Sequence, residues 1–270
     1  MNELFYIHSV KRLYSVLKVT VFIGSERKKA TYQAALEFGK CLKTFDDVDI
    51  EYIFLCDYNL DFCRGCKLCF DKGEEFCPLS DDRDFLLEKM ERSDGVVFAT
   101  PNYGFQVSAR MKCFIDRLCF VMHRPRFFGK AFTAIVTQGV FGGKDIQKYI
   151  ESTGENLGFN VIRGSCVTTL EPMTEKQKQN MAREMKYASE RFYKGLISKT
   201  APAPALLRLL VFRLTRTCLK NAELKFRDYY YYREKGWLES DYYNVASLGP
   251  VKKLAGRLFD FMGRIMVKHI

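Results

Sequence analysis

The hydrophobic pattern changes period most sharply within residues 94–117, DGVVFATPNYGFQVSARMKCFIDR. Residues 95–99 form a short apolar run, bounded by Asp94 on one side and Thr100-Pro101 on the other. Such a run predicts a strand buried on both faces, as in a parallel sheet. From Val107 onward, Met111, Phe114, Ile115, Leu118 and Met122 recur at helical spacing, which predicts an amphipathic helix over 107–122. Between the two lies the loop TPNYGFQ. In an open α/β sheet, loops at the carboxyl ends of strands border the ligand crevice. Pro101 stiffens this loop, Gly104 lets backbone approach a flat ligand, and Tyr103 and Phe105 supply aromatic surface to cover one.

The rest of the chain alternates in the same way. Residues 18–23, KVTVFI, predict the first strand. The loop GSERKKAT follows, then a helix over 31–42 with Thr31 as its N-cap. Residues 49–55 predict the second strand, 56–80 a cysteine-bearing loop, and 81–92 a helix whose dipole Asp81 and Asp82 complement. A fourth strand is expected over 131–136, followed by the glycine-bearing loop TQGVFGG, a helix over 144–157, a fifth strand over 160–169 and a long helix over 175–197. Five strands alternating with helices predict a three-layer α/β sandwich on a five-stranded parallel sheet. Residues 1–17 read as an N-terminal arm, 18–199 as the main domain, and 200–270 as a basic, mostly helical C-terminal extension. The extension holds an Arg-punctuated apolar segment at 205–219, four tyrosines at 229–232, and an amphipathic helix opening at Pro250 with Leu254, Leu258, Phe261 and Ile265 on one side.

Composition narrows the setting. A chain of 270 residues, 47% hydrophobic, can bury a sizeable core. It has no run of 18 uncharged apolar residues, so no transmembrane helix is expected. The first 17 residues lack a clean apolar centre and a small-residue cleavage site, so a cytoplasmic location with reduced cysteines is expected. The net charge of +11 is uneven: residues 201–270 hold 13 Lys and Arg against 6 Asp and Glu. A basic surface of this kind suits an anionic cofactor, a lipid surface or nucleic acid. Nucleic acid is not an expected partner, because no recognised binding module is present.

Two stretches carry candidate chemistry. The loop GSERKKAT joins a strand to a helix, and its hydroxyls, backbone N–H groups and Arg27 suit a phosphate. Neither GxxxxGK[ST] nor GxGxxG occurs there, which argues against triphosphate and dinucleotide-binding loops. The second stretch is Cys63-x2-Cys66-x2-Cys69-x7-Cys77. Closely spaced thiolates and a more distant fourth can wrap a [4Fe–4S] cluster. Zinc, and free thiols in an ordered loop, are the other readings of the same spacing. His123 ends a predicted helix, where a dipole-stabilised imidazole is one reading; a role near the substrate or at a subunit contact is the sharper one, and no catalytic role is assigned to it.

The run T-P-N-Y-G-F-x-V-S-A-x-M-K-x-F-I-D-R, residues 100–117, resembles the flavin loop and following helix of flavodoxin-like NAD(P)H-dependent FMN reductases, in particular the branch that includes the iron–sulfur flavoproteins. The likeness extends over residues 18–197, and the cysteine loop sits in the matching place after the second strand. GSERKKAT is similar to the family's phosphate loop, with Glu26 where the family has proline. The resemblance implies a flavodoxin-like fold and bound FMN. It implies that Ser25, Arg27 and Thr31 hold the phosphate. Pro101, Asn102, Tyr103, Gly104 and Phe105 would border the ring, and Thr137, Gln138 and Gly139 would close the other side. It also implies Cys63, Cys66, Cys69 and Cys77 as ligands of a [4Fe–4S] cluster. The expected activity is hydride transfer from NAD(P)H to FMN, then electron transfer to a small-molecule or protein acceptor. The alternative is a non-enzymatic electron carrier reduced by a protein partner. A homo-oligomer with the flavin at its interface is expected, with the extension covering the cleft or packing on a second subunit and its tyrosines forming contact surface. Peripheral contact with an anionic membrane is the third reading of that extension.

Overall fold

The computed structural model describes residues 16–198, 203–221, 223, 225–243 and 248–267. Residues 1–15, the bulk of the expected N-terminal arm, lie outside the described residues. The core is a parallel sheet in the order β2-β1-β3-β4-β5, formed by β1 (Leu17–Ile23), β2 (Val48–Phe54), β3 (Gly95–Pro101), β4 (Ala131–Gln138) and the short β5 (Asn160–Val161). A sixth segment, β6 (Ser165–Thr168), also pairs with β4 in parallel. The single fifth strand expected over 160–169 is therefore split. Its break has a tertiary cause: the Gly164 N–H donates to the Glu151 carboxylate at 2.7 Å instead of extending the ladder. A Cβ at Gly164 would also come within 2.3 Å of the Ala134 carbonyl oxygen, so only glycine passes there.

Successive strand side chains point to opposite faces, and each face has its own core. On one side Phe22 and Phe98 join Phe114 and Phe132 under α3 (Arg83–Arg92), α4 (Ala109–Arg117), α5 (Cys119–His123) and α6 (Gly143–Leu157). On the other, Val21, Ile23, Val97 and Ala99 meet Phe38 of α1 (Ala30–Leu42) and Met185 and Phe192 of α7 (Glu175–Ile197). All seven residues of β3 are buried, as expected for the central strand. A short helix, α2 (Leu68–Asp71), lies within the cysteine loop.

The helix expected over 107–122 is two helices. Leu118, with φ −97° and ψ 4°, interrupts it between α4 and α5. Asp82 holds the N-cap position of α3 without a side-chain cap, and Asp81 accepts from the Arg83 N–H at 3.2 Å, so both acids stand at the start of the helix whose dipole they were expected to complement. Asp82 accepts from the Asn59 N–H at 2.7 Å, and Asp81 pairs with Arg117.

The extension folds into α8 (Leu206–Asn221), α9 (Arg227–Glu234) and α10 (Pro250–Val267). Its tyrosines were expected as intersubunit surface; several instead build an aromatic core within the chain. Tyr232 is fully buried, shares a hydroxyl hydrogen bond of 3.0 Å with Tyr243, and packs with Phe212 and Trp237. Phe128 of the main domain meets Trp237 and Tyr243 and carries this core across to the sandwich.

Candidate functional site

Strand order reverses direction between β1 and β3, and at such a switch point the loops leaving the carboxyl ends diverge to open a crevice. The loops after β1, β3 and β4 do so here, around a cleft of about 250 Å³. The loop geometry is pinned from below. Ser108 caps α4 by accepting from the Met111 N–H, and its hydroxyl donates to the Gly24 carbonyl at 2.7 Å. A Cβ at Gly24 would sit 2.6 Å from that hydroxyl, so glycine is what lets the β1 and β3 loops touch.

Nine of the eleven residues named from the sequence line this cleft: Ser25, Arg27, Thr31, Pro101, Asn102, Tyr103, Thr137, Gln138 and Gly139. Gly104 and Phe105 do not. They form the tight turn beyond Tyr103, both with positive φ (56° and 63°), and Phe105 packs on Phe141 at 5.1 Å. Thr31 is not the N-cap of α1. Lys29 holds that position and supplies no side-chain cap. Buried Thr31 instead shares a 2.7 Å hydrogen bond with Thr137, which ties the head of α1 to the end of β4. The consequence is chemical: the first amides of α1 face the cleft without a side-chain acceptor, and a helix start in that state binds anions.

Two polar side chains of the cleft are already engaged. The Asn102 amide donates to the Phe141 carbonyl at 2.9 Å, while its oxygen accepts from the Phe105 N–H at 3.0 Å, so it stitches the β3 loop to the β4 loop. Gln138 accepts from the Gly143 N–H at 2.7 Å and donates to Thr168, which fixes the start of α6. Both residues hold the walls in place.

Lys29, Ala30, Thr169 and Glu171 also line the cleft, although the sequence did not mark them. Glu171 follows β6 on the same sheet edge and pairs with Lys29 at 3.0 Å and Arg27 at 3.5 Å. The Lys29 hydrogen bond and the two cations hold its carboxyl below the usual carboxylate range. The cleft thus has two cations at its mouth and an acid that answers them.

A second cavity, of about 270 Å³, lies at the far end of α4. Cys63, Cys66, Cys69 and Cys77 all line it, beside Arg64, Lys67, Arg83 and Arg117 and the rings of Phe70 and Phe120. The loop winds tightly through two left-handed positions, Gly65 (φ 62°) and Lys67 (φ 61°). Arg117 donates to the Cys77 sulfur at 3.3 Å and to the Asp81 carboxylate at 2.8 Å. Burial works against a Cys77 thiolate, but the Arg117 bond and the Leu79 N–H outweigh it, and the thiol is held below its ordinary value. Burial pushes the Cys69 thiol up. Cys119 also faces this cavity, a fifth sulfur that the motif spacing did not show. All ten cysteines are free. Among the described residues, no three His, Cys, Asp or Glu are gathered closely enough to hold a single metal ion. The four thiols are arrayed around a space rather than drawn onto one centre.

His123 is half-exposed and packs at a tilt against the Phe70 ring, with Nδ1 2.9 Å from the Asp228 carboxylate of the extension. It serves as a contact between main domain and extension. No described residue of the extension lines the cleft at the switch point.

Known proteins bear on this arrangement. The chain is 29% identical over 235 residues to an iron-sulfur flavoprotein of Archaeoglobus fulgidus, an overlap of 82% of this chain and 100% of that one. It is 27% identical over 213 residues to an iron-sulfur flavoprotein of Clostridioides difficile, covering 77% of this chain and 91% of the other. Among solved structures, RosB with a bound 8-demethyl-8-formylriboflavin-5'-phosphate superposes over 87% of this chain and 92% of its own with a TM-score of 0.55 at 12% identity, a likeness of fold. An azoreductase from Bacillus anthracis does so over 66% of this chain and 100% of its own, with a TM-score of 0.50 at 15% identity. The family model for NADPH-dependent FMN reductases matches residues 17–170, and the chain belongs to that family of flavin-dependent oxidoreductases.

Proposed function

We propose that this FMN-dependent oxidoreductase holds its flavin in the switch-point cleft, takes hydride from NADPH or NADH, and passes electrons to a separate acceptor. The observation that carries the reading is the uncapped start of α1, opening into a cleft with Arg27 and Lys29 at its mouth. That donor set fits a phosphomonoester: amides and the Ser25 hydroxyl to donate, and cations to balance charge. Thr31 and Thr137 hold the floor of the cleft. Pro101, Asn102 and Tyr103 would border one edge of the ring, and Thr137, Gln138 and Gly139 the other. Gly104 and Phe105 shape the turn that presents Tyr103. When bound, FMN supplies the hydride and electron chemistry. The chain's own side chains bind and orient, and none is needed as an acid or base.

The four clustered cysteines are the natural ligands of a [4Fe–4S] group in this reading. Four thiols share one partly apolar cavity, and the surrounding cations offset thiolate charge. Such a group would supply one-electron transfer, with its potential set by net charge and hydrogen bonds to sulfur such as that from Arg117. A single helix links the two sites: Ser108, at the start of α4, bonds the cleft wall, and Arg117, at its end, bonds Cys77. Nine helical residues rise about 13 Å, a short separation for a protein that would move electrons between them.

Anaerobic stopped-flow reduction tests the activity. Bound flavin should bleach rapidly with NADPH or NADH. Slow bleaching by both nucleotides, together with fast bleaching by reduced ferredoxin, would replace the enzyme with an electron carrier.

A further inference from the structure

Outside both sites, α10 presents a face that nothing described above uses. Its inner side meets α8 along a narrow seam. A Cβ at Gly256 would come within 3.0 Å of the Arg213 guanidinium, and one at Gly263 within 2.9 Å of Thr217, so two glycines let the helices close up. Asp260 lies in the same seam and accepts from Arg213 at 2.9 Å, Arg216 at 2.6 Å and Thr217 at 3.2 Å. At 100° per residue these three positions share one side of α10. Leu254, Leu258, Phe261 and Ile265 share the opposite side, with exposures of 68%, 57%, 55% and 44%. Four large apolar side chains in line on a helix face are not the scattered exposure of an ordinary surface.

The charge beside that row has one sign. Lys253, Arg257 and Arg264 are exposed along its flank. Asp260 is the only acid in α10, and two arginines engage it in the seam. The outward half of the helix is therefore apolar and cationic.

We propose that the outer face of α10 docks the protein on an anionic lipid bilayer, with the helix lying in the plane of the interface. The apolar row enters the headgroup–acyl boundary, and Lys253, Arg257 and Arg264 pair with lipid phosphates or carboxylates. Charge decides the occupant. A second copy set face to face on this surface would bring three cations against their own counterparts, with no exposed acid on the helix to answer them. An anionic bilayer supplies that answer. The contact is peripheral, since no described helix is long and apolar enough to cross a membrane.

Flotation of the full-length protein with vesicles tests this. Binding to phosphatidylserine-containing vesicles, loss of binding in high salt, and much weaker binding to phosphatidylcholine alone are expected. The paired change Leu258→Glu and Phe261→Glu should lower partitioning at least about tenfold. Replacing Lys253, Arg257 and Arg264 by Gln should lower it about a hundredfold on the anionic vesicles. All these side chains are exposed, so flavin content should be unchanged in both variants, which shows that they fold. Equal binding to neutral and anionic vesicles, or none to either, would overturn the proposal. So would a wild-type dimer in light scattering that the Leu258→Glu/Phe261→Glu variant loses, which would assign the face to a second copy.

Discussion

Arg124, with its side chain fully buried, is bonded to the carboxylate of Asp228, more than a hundred residues further along the chain. The same guanidinium donates to the Cys69 carbonyl at 2.8 Å and to Glu74 at 2.9 Å. One side chain thus joins the extension to the cysteine loop, and its ring neighbour Phe120 lies 5.6 Å away. Removing one member of a buried charge network leaves its partners uncompensated. Arg124→Ala should therefore destabilise the protein by about 3 kcal/mol, read as a lower urea midpoint. In a double-mutant cycle with Asp228→Asn the two losses should be far from additive.

Acid should weaken the same region. Burial raises the Glu74 carboxyl, but the Arg126 hydrogen bond and the Arg124 charge outweigh it, and Glu74 is held below its ordinary value. Asp81 follows the same pattern, with Arg117 and the N–H groups of Asp61 and Arg83 as its donors. A carboxylate depressed in the folded state stabilises above its unfolded pKa, about 4, and that stability is lost as pH falls through the folded value. Urea midpoints should hold steady from neutrality down to about pH 5 and fall below about pH 4. Asp81→Asn should be less stable at neutral pH and should show a shallower fall. A midpoint that rises on acidification would contradict these pairings.

The cleft predicts opposite effects from two neighbours. Arg27→Ala removes a cation from the mouth and should weaken FMN binding by about tenfold. Glu171→Gln removes the acid that pairs with Arg27 and Lys29, and should tighten FMN binding a few-fold. Both are read by quenching of FMN fluorescence on titration of apoprotein. Unchanged affinity in Arg27→Ala would remove the phosphate assignment from this loop.

The cysteine cavity is separable from the cleft. Cys66 is exposed on the loop and does not line the switch-point cleft. Cys66→Ser should lose iron and acid-labile sulfide while retaining FMN at the wild-type ratio. Loss of both together would make the loop a structural part of the flavin site.

Much of this architecture is legible in the pattern of residues. The buried run at 95–99, the change to helical spacing after Val107 and the β-branched run at 18–23 place the central strands and the cleft between them. The breaks were hidden because distant side chains cause them. Gly164 leaves the ladder because Glu151 of α6 takes its N–H, and no local pattern encodes that. Thr31 reads as a helix cap by residue type, yet its hydroxyl is claimed by Thr137 across the cleft. Glu171 was missed for a related reason: an acid three residues past the end of β6 has no marked chemistry until the fold sets it beside Arg27 and Lys29. The tyrosine run at 229–232 looked like interaction surface, because aromatic density does not say which partner an aromatic residue will find. Trp237 and Tyr243 were close enough in sequence to suggest a local core.

The central claim is that the switch-point cleft holds FMN that a nicotinamide nucleotide reduces. The most direct measurement is an absorbance spectrum of protein purified without oxygen, followed by titration with NADPH or NADH. The account predicts flavin bands near about 375 and 450 nm that bleach with one equivalent of nucleotide. A protein that shows no flavin, and takes up none when FMN is added, would contradict it.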